Sequence, residues 1–168
     1  GRKFESATGD ALFTAKGMSG PLIINMSKGV RKELPGEVAL KIDLVPDLDL
    51  AELEARILKD FQGAPNRQIK TCLDMLLPQK LVPVIMKIAG VDPEKKVNCV
   101  TKEERKKLLR LMKEFEVHVA GLHGFEKAVI TAGGVELSEV DSKTMRSKLF
   151  ENLYFAGEIL DLDGPTGG

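Results

Sequence analysis

The sequence predicts an α+β fold: a small, mostly antiparallel β-barrel with a helical subdomain inserted in it. Three observations carry that expectation. Val38, Leu40, Ile42 and Leu44 alternate with Ala39, Lys41, Asp43 and Val45, the period of a half-buried strand. Residues 47–115 then hold four apolar stripes at helical spacing, two of them opened by capping boxes. Beyond residue 116 the chain returns to short β-rich runs separated by glycines. A strand–helix–strand order closes most simply when the two strand regions join into one sheet or small barrel.

At 168 residues and 18.4 kDa the chain fits one domain, or one domain with a small insert. Apolar residues make up 43% and charged residues 30%, enough for a real core, so disorder, collagen and a whole-chain coiled coil are excluded. Lys+Arg and Asp+Glu are both 25. That balance argues against a dedicated nucleic-acid binder and leaves room only for a local basic patch. Two cysteines, Cys72 and Cys99, cannot build a disulfide framework, so a reduced, cytoplasmic setting is expected. No apolar run reaches the ~20 residues that span a bilayer, and no membrane partner is expected. The chain has no initiator Met and stops at Gly167-Gly168, which reads as a piece of a longer protein.

Taken in order, Thr8-Gly9-Asp10 is a turn signal between Phe4 and Leu12-Phe13, pointing to a hairpin there. Ser19 is placed to cap a helix, with Pro21 tolerated in its first turn and Gly29 suited to its end. Leu34-Pro35-Gly36 is a turn. Asp49 and Glu52 make a capping box for a helix bearing Leu50, Leu53, Ile57 and Phe61, and Glu52 stands four residues before Arg56 in the favourable order for a pair. Gly63-Ala64-Pro65 ends it. Ile69, Cys72, Leu73 and Leu76 form a second stripe, closed by Pro78. Leu81, Val82, Ile85 and Ile88 form a third, which starts late or kinks at Pro83. Thr101 and Glu104 cap a fourth, with Leu108, Leu111, Met112 and Phe115. Val117–Val119, Ala128–Thr131 and Leu153–Ala156 read as strands.

Chemical constellations are sparse. Cys72, Cys99, His118 and His123 lack the close pairing that zinc sites use, and no metal site is assigned. Gly17-Met18-Ser19-Gly20-Pro21 partly resembles a nucleophile elbow, but Pro21 stands where the second glycine belongs. Its free amides could instead approach a ligand. Lys102, Arg105, Lys106, Lys107, Arg110 and Lys113 cluster on the fourth helix, diluted by Glu103, Glu104, Glu114 and Glu116, and read as a solvated face. Trp is absent and aromatics are 5%, so base-stacking platforms are scarce.

The informative end is residues 154–168, Tyr-Phe-Ala-Gly-Glu-Ile-Leu-Asp-Leu-Asp-Gly-Pro-Thr-Gly-Gly. An apolar strand runs into an acid at its carboxyl end, where ligands sit in α/β sheets, and then into a glycine-rich turn. This segment resembles the carboxyl-terminal flavin-binding motif of the bacterial FAD-dependent oxidoreductases described as aminoacetone-oxidase-like or BaiN-like. Leu12-Phe13-Thr14 with Gly17, Ser19, Gly20 and Pro21 resembles a second motif of that family. Thr131-Ala132-Gly133-Gly134-Val135, followed by Thr144-Met145 and Ser147-Lys148, resembles a third. The chain departs from the family at Ala15, where a histidine is frequent, so no acid–base role is assigned there.

The resemblance implies a flavoprotein with two dinucleotide-binding folds, interrupted by an insert made of a β-barrel and a helical subdomain. Residues 1–46 and 116–152 would form the barrel, 47–115 the helical subdomain, and 153–168 the stub of the FAD domain. It implies FAD in the parent protein, NAD(P) as a candidate electron source, and a small-molecule substrate; nucleic acid is not an expected partner. Gly133, Gly134, Gly157, Glu158, Asp163, Gly164, Thr166, Gly167 and Gly168 would contact the cofactor, and Gly17, Ser19 and Gly20 would face the substrate. No catalytic acid or base is assigned. The phosphate-binding Gly-x-Gly-x-x-Gly is absent, so this chain would hold no FAD alone and would be inactive without the rest of the parent flavoprotein. The competing expectation is a free-standing barrel-plus-helix module that binds a protein or RNA.

Overall fold

The computed structural model describes residues 3, 5–128, 132–162 and 164. The chain divides into two compact units, one of Gly1–Val38 with Ala120–Gly168 and one of Ala39–Val119. Among the described residues the mixed α/β fold holds two separate two-stranded sheets, not a closed barrel. The strands are only three to five residues long, and much of 120–160 is turns and single bridges. Of the expected strand Ala128–Thr131, residues 129–131 lie outside the described residues.

In the first unit, β1 (Leu12–Thr14) pairs antiparallel with β2 (Gly17–Ser19), Leu12 opposite Ser19 and Thr14 opposite Gly17. The hairpin therefore turns at Ala15-Lys16, not at Thr8-Gly9-Asp10; Phe4 lies outside the described residues. The Thr14 hydroxyl closes the turn, donating to the Gly17 carbonyl at 3.0 Å. Ser19 is thus a strand residue and not a helix cap. Gly20 takes the cap position without a side-chain bond, and Pro21 opens α1 (Pro21–Glu33). Gly29 does not end that helix. Val30 is buried one residue later, and the helix stops at Leu34, whose extended backbone is what a following proline favours.

The second unit holds the core. Here β3 (Val38–Ile42) pairs with β4 (Phe115–Val119), and α2 (Leu50–Gly63), α3 (Ile69–Leu73), α4 (Val82–Ala89) and α5 (Lys102–Lys113) pack together. Leu53, Ile69, Ile85, Met86 and Met112 are fully buried, each contributing about 1.5–3 kcal/mol of transfer free energy. Both capping boxes form: Asp49 and Glu52 exchange bonds at 2.8 Å each, and Thr101 and Glu104 do the same at 3.1 and 2.8 Å. Glu52 is spent on its cap, so Arg56 pairs with Asp60 instead. Pro83 lies in the first turn of α4, where no amide bond is lost. The apolar arc of α4 is Val82, Ile85, Met86 and Ala89, which leaves Ile88 exposed; Leu50 at the start of α2 is exposed too.

Lys113 shows how strand and helix are joined. Its ammonium donates to the carbonyls of Val45 (3.1 Å) and Leu48 (2.6 Å) and pairs with Asp43, using all three donors on the β3–α2 connection.

Candidate functional site

Two of the three motif regions that the sequence singles out come together in the first unit. The amide of Val135 donates to the Ile159 carbonyl at 2.8 Å, and the amide of Asp161 donates to the Val135 carbonyl at 3.0 Å, a parallel bridge between Val135 and Leu160. The approach is close enough that a Cβ at Gly134 would stand 2.4 Å from the Ile159 carbonyl oxygen and 2.8 Å from the Asp161 amide. Only a residue without a Cβ fits there. The Gly-Gly-Val segment and the segment following Glu158 therefore form one backbone unit. The sequence points to both as cofactor contacts without linking them, because their contact spans some 25 residues.

Leu153–Ala156 is not a strand among the described residues. Tyr154 makes a single bridge with Arg146, and the chain then enters a 3₁₀ turn at Gly157–Ile159. Gly157 has φ 81, which breaks an extended chain. Glu158 thus stands in that turn and not at a strand's carboxyl end. Its side chain is exposed and makes no hydrogen bond or ion pair among the described residues. Gly133 (φ 103) and Gly157 have nothing within 4 Å of where a Cβ would be, so their backbone stands open beside the bridge. Gly164 is likewise open. Asp163, Thr166, Gly167 and Gly168 lie outside the described residues.

Beside this unit, Asp141, Thr144, Arg146, Ser147, Lys148 and Tyr154 line a cleft of about 320 Å³. Asp141 organises it. Its carboxylate accepts from the Thr144 amide (2.8 Å) and hydroxyl (2.9 Å) and from the Lys143 amide (3.0 Å). The Thr144 amide bond, followed by the Thr144 hydroxyl and the Lys143 amide, holds that carboxyl below the usual carboxylate range. The Ser147 hydroxyl oxygen is buried and accepts from the amides of Leu149 and Phe150. No sequence signal marks Asp141, whose role is to hold a turn.

The glycine loop near the amino terminus forms a second cleft of about 410 Å³, lined by Thr14, Ala15, Lys16, Met18, Ser19, His123 and Lys127. Gly17 sits at the hairpin turn with open space around it. Gly20 (φ 100) is tight: a Cβ there would stand 3.0 Å from the Asp10 carbonyl. Ser19 lines the cleft. The cleft's titratable groups are Lys16, His123 and Lys127. No sequence signal brings His123 and Lys127 to this loop, because they are remote from it along the chain.

The basic cluster on α5 separates into two sets. Arg105 pairs with Glu54 at 3.7 Å, and Lys113 is held as described. Lys102, Lys106, Lys107 and Arg110 are exposed and make no ion pair among the described residues. Among the described residues no group of three His, Cys, Asp or Glu could hold a metal, and no helix is long and apolar enough to cross a membrane.

A sequence pattern described as the "HI0933-like protein barrel and H2TH domain" matches residues 1–130. The chain belongs to the HI0933-like family. It is 31% identical over 157 residues to a ribosomal RNA dihydrouridine synthase of Escherichia coli (strain K12), covering 94% of this chain and 37% of that protein. It is 34% identical, with the same coverage, to a ribosomal RNA dihydrouridine synthase of Haemophilus influenzae (strain ATCC 51907 / DSM 11121 / KW20 / Rd). A 3-dehydro-bile acid delta(4,6)-reductase of Clostridium scindens (strain ATCC 35704 / DSM 5676 / VPI 13733 / 19) is 26% identical over 163 residues, covering 96% of this chain and 40% of the relative. The HI0933-like chain thus spans about two-fifths of the length of these relatives. The barrel in the family's description corresponds to no closed barrel among the described residues.

Proposed function

We propose that this HI0933-like chain is the substrate-side part of an FAD-dependent reductase that saturates a conjugated carbon–carbon double bond, on the aminoacetone-oxidase-like and BaiN-like side of its family. The observation that carries the reading is the backbone contact of Gly134 with Ile159–Asp161, next to which along the chain stand two open glycines, Gly133 and Gly157, and the exposed carboxylate of Glu158. The relatives' names support the reaction class, since a dihydrouridine and a delta(4,6)-reduced steroid each arise by hydrogenating such a bond.

The residues present fit a flavin. Open backbone at Gly133 and Gly157 admits a flat ring at contact distance, and a carboxylate at Glu158 accepts bonds from polyol hydroxyls. Asp163, Gly164, Thr166, Gly167 and Gly168 extend the same contact by resemblance. When bound, FAD takes up and passes on a hydride, with NAD(P)H as the donor in this reading. The protein's part is to hold the ring, orient the substrate in the Ser19 cleft and exclude water. In this assignment the first unit serves cofactor and substrate, and the phosphate-binding turn is supplied by the rest of the parent polypeptide.

The test is anaerobic titration of the full-length polypeptide with NADH and with NADPH. Bleaching of the flavin band by one of them, with reoxidation by an enone or by uridine-containing RNA, supports the reading. A flavin band that neither nicotinamide bleaches overturns the NAD(P)H link; absence of flavin overturns the whole proposal.

A further inference from the structure

We propose that the row Lys102–Lys106–Arg110 on α5, with Lys107 beside it, is a contact surface for the phosphate backbone of ribosomal RNA. The proposal rests on the reductase reading and names its substrate class.

The sequence alone favours a solvated face. The structure changes that weighting by sorting the cations. Several other basic side chains of this unit are engaged within the protein, while Lys59, Lys87 and Lys96 stand exposed and form no ion pair among the described residues. Arg105 pairs with Glu54, Lys113 with Asp43 and two carbonyls, Lys95 with Glu104 at 2.8 Å, and Lys70 with Glu94. The exposed four are not. Glu103 stands four residues before Lys107, the order that favours a helical pair, yet no pair forms among the described residues. In a chain of zero net charge, six cations against two carboxylates within α5 is a local concentration of charge. Glu103 and Glu114 share the exposed face and weaken it without reversing its sign.

Geometry suits a strand of phosphates. Residues four apart lie on neighbouring positions of one helix face, about 6 Å apart along the axis, so the three cations make a row inclined to the axis. Such a step is comparable to that between phosphates along a strand. The chain has one tyrosine and no tryptophan, so this surface holds RNA by charge and not by stacking on bases. Contacts of that kind fix position without reading sequence. Two relatives act on ribosomal RNA by name, which selects RNA among the polyanions such a row could hold.

The experiment uses the full-length polypeptide and protein-free ribosomal RNA from purified bacterial ribosomes, with binding measured across a salt series. The wild type is expected to show log K falling linearly with log salt. Lys102→Gln/Lys106→Gln/Arg110→Gln should reduce the slope by about 2 and weaken binding more than tenfold at ~0.05 M salt. Glu103→Gln, which removes a repulsive carboxylate, should tighten binding. Flavin content is read in each preparation. A triple variant with the wild-type slope, or a flavin-loaded wild type that binds no RNA, overturns the RNA surface and leaves the reductase reading standing. A wild type without flavin overturns the reductase reading.

Discussion

The α-carbon of Gly134 faces the Ile159 carbonyl so closely that a methyl group there would stand 2.4 Å from the oxygen. The neighbours are backbone on both sides of the bridge, held by bonds at 2.8 and 3.0 Å, so no side chain can swing away to make room. Gly134→Ala is therefore expected to separate the two segments, at a cost of about 1–3 kcal/mol. In the full-length protein it should lower the melting temperature and flavin retention together. Gly133→Ala meets no atom but must hold φ 103, so it should strain the backbone locally and leave the Val135–Leu160 bridge in place. Equal melting temperatures for wild type and Gly134→Ala would contradict the contact.

The helical unit carries a pH signature at Glu104. The Lys95 ammonium bond, then the Thr101 amide bond, holds its carboxyl below the ordinary value. A depressed folded-state pKa adds stability that is present above the unfolded value of about 4.3 and is lost as pH falls through the folded value. Glu104→Gln keeps the capping geometry but removes the charge. Its stability should converge with that of the wild type in acid and fall below it near neutrality. Thr101→Ala, which deletes the cap itself, should cost ~1 kcal/mol at either pH. A Glu104→Gln deficit that persists unchanged in acid would remove the ion pair from the explanation.

The two cysteines should separate cleanly by reactivity. Cys72 is buried, and desolvation pushes its thiol above the ordinary value, only partly offset by Arg67. Cys99 is exposed. Near pH 7.5 a thiol reagent should label Cys99 quickly and Cys72 only after unfolding, because the thiolate is the reacting form. Equal labelling rates in the native protein would show that the α2–α3–α4 core opens readily.

How much the sequence discloses depends on how far apart the partners stand. Asp49 with Glu52 and Thr101 with Glu104 are legible because each box closes within four residues. The alternation at Val38–Ile42 is legible for the same reason. Ser19 reads wrongly as a cap because strand pairing with Leu12 competes with capping, and local propensity cannot weigh that. Arg105 and Lys113 cannot be told from Lys106 and Arg110 by sequence, since Glu54 and Asp43 lie about 50 to 70 residues away. The expected strand Leu153–Ala156 is reduced to a single bridge at Tyr154, and the positive φ of Gly157 turns the chain before the acid. The resemblance marks Gly133, Gly134 and Glu158 for the cofactor, but only the fold links Gly134 to the turn that carries Glu158.

The most direct test of the central claim is the molar ratio of released flavin to protein in the full-length polypeptide, measured for wild type and Glu158→Ala. Glu158 is exposed and bonded to nothing described, so its loss should leave the fold and melting temperature of the apoprotein unchanged. The expected result is near one FAD per wild-type chain and a clearly lower ratio for Glu158→Ala at equal stability. A wild-type protein that purifies colourless, or a Glu158→Ala variant that keeps its full complement of FAD, would contradict the placement of the flavin beside Gly134 and the 157–161 turn.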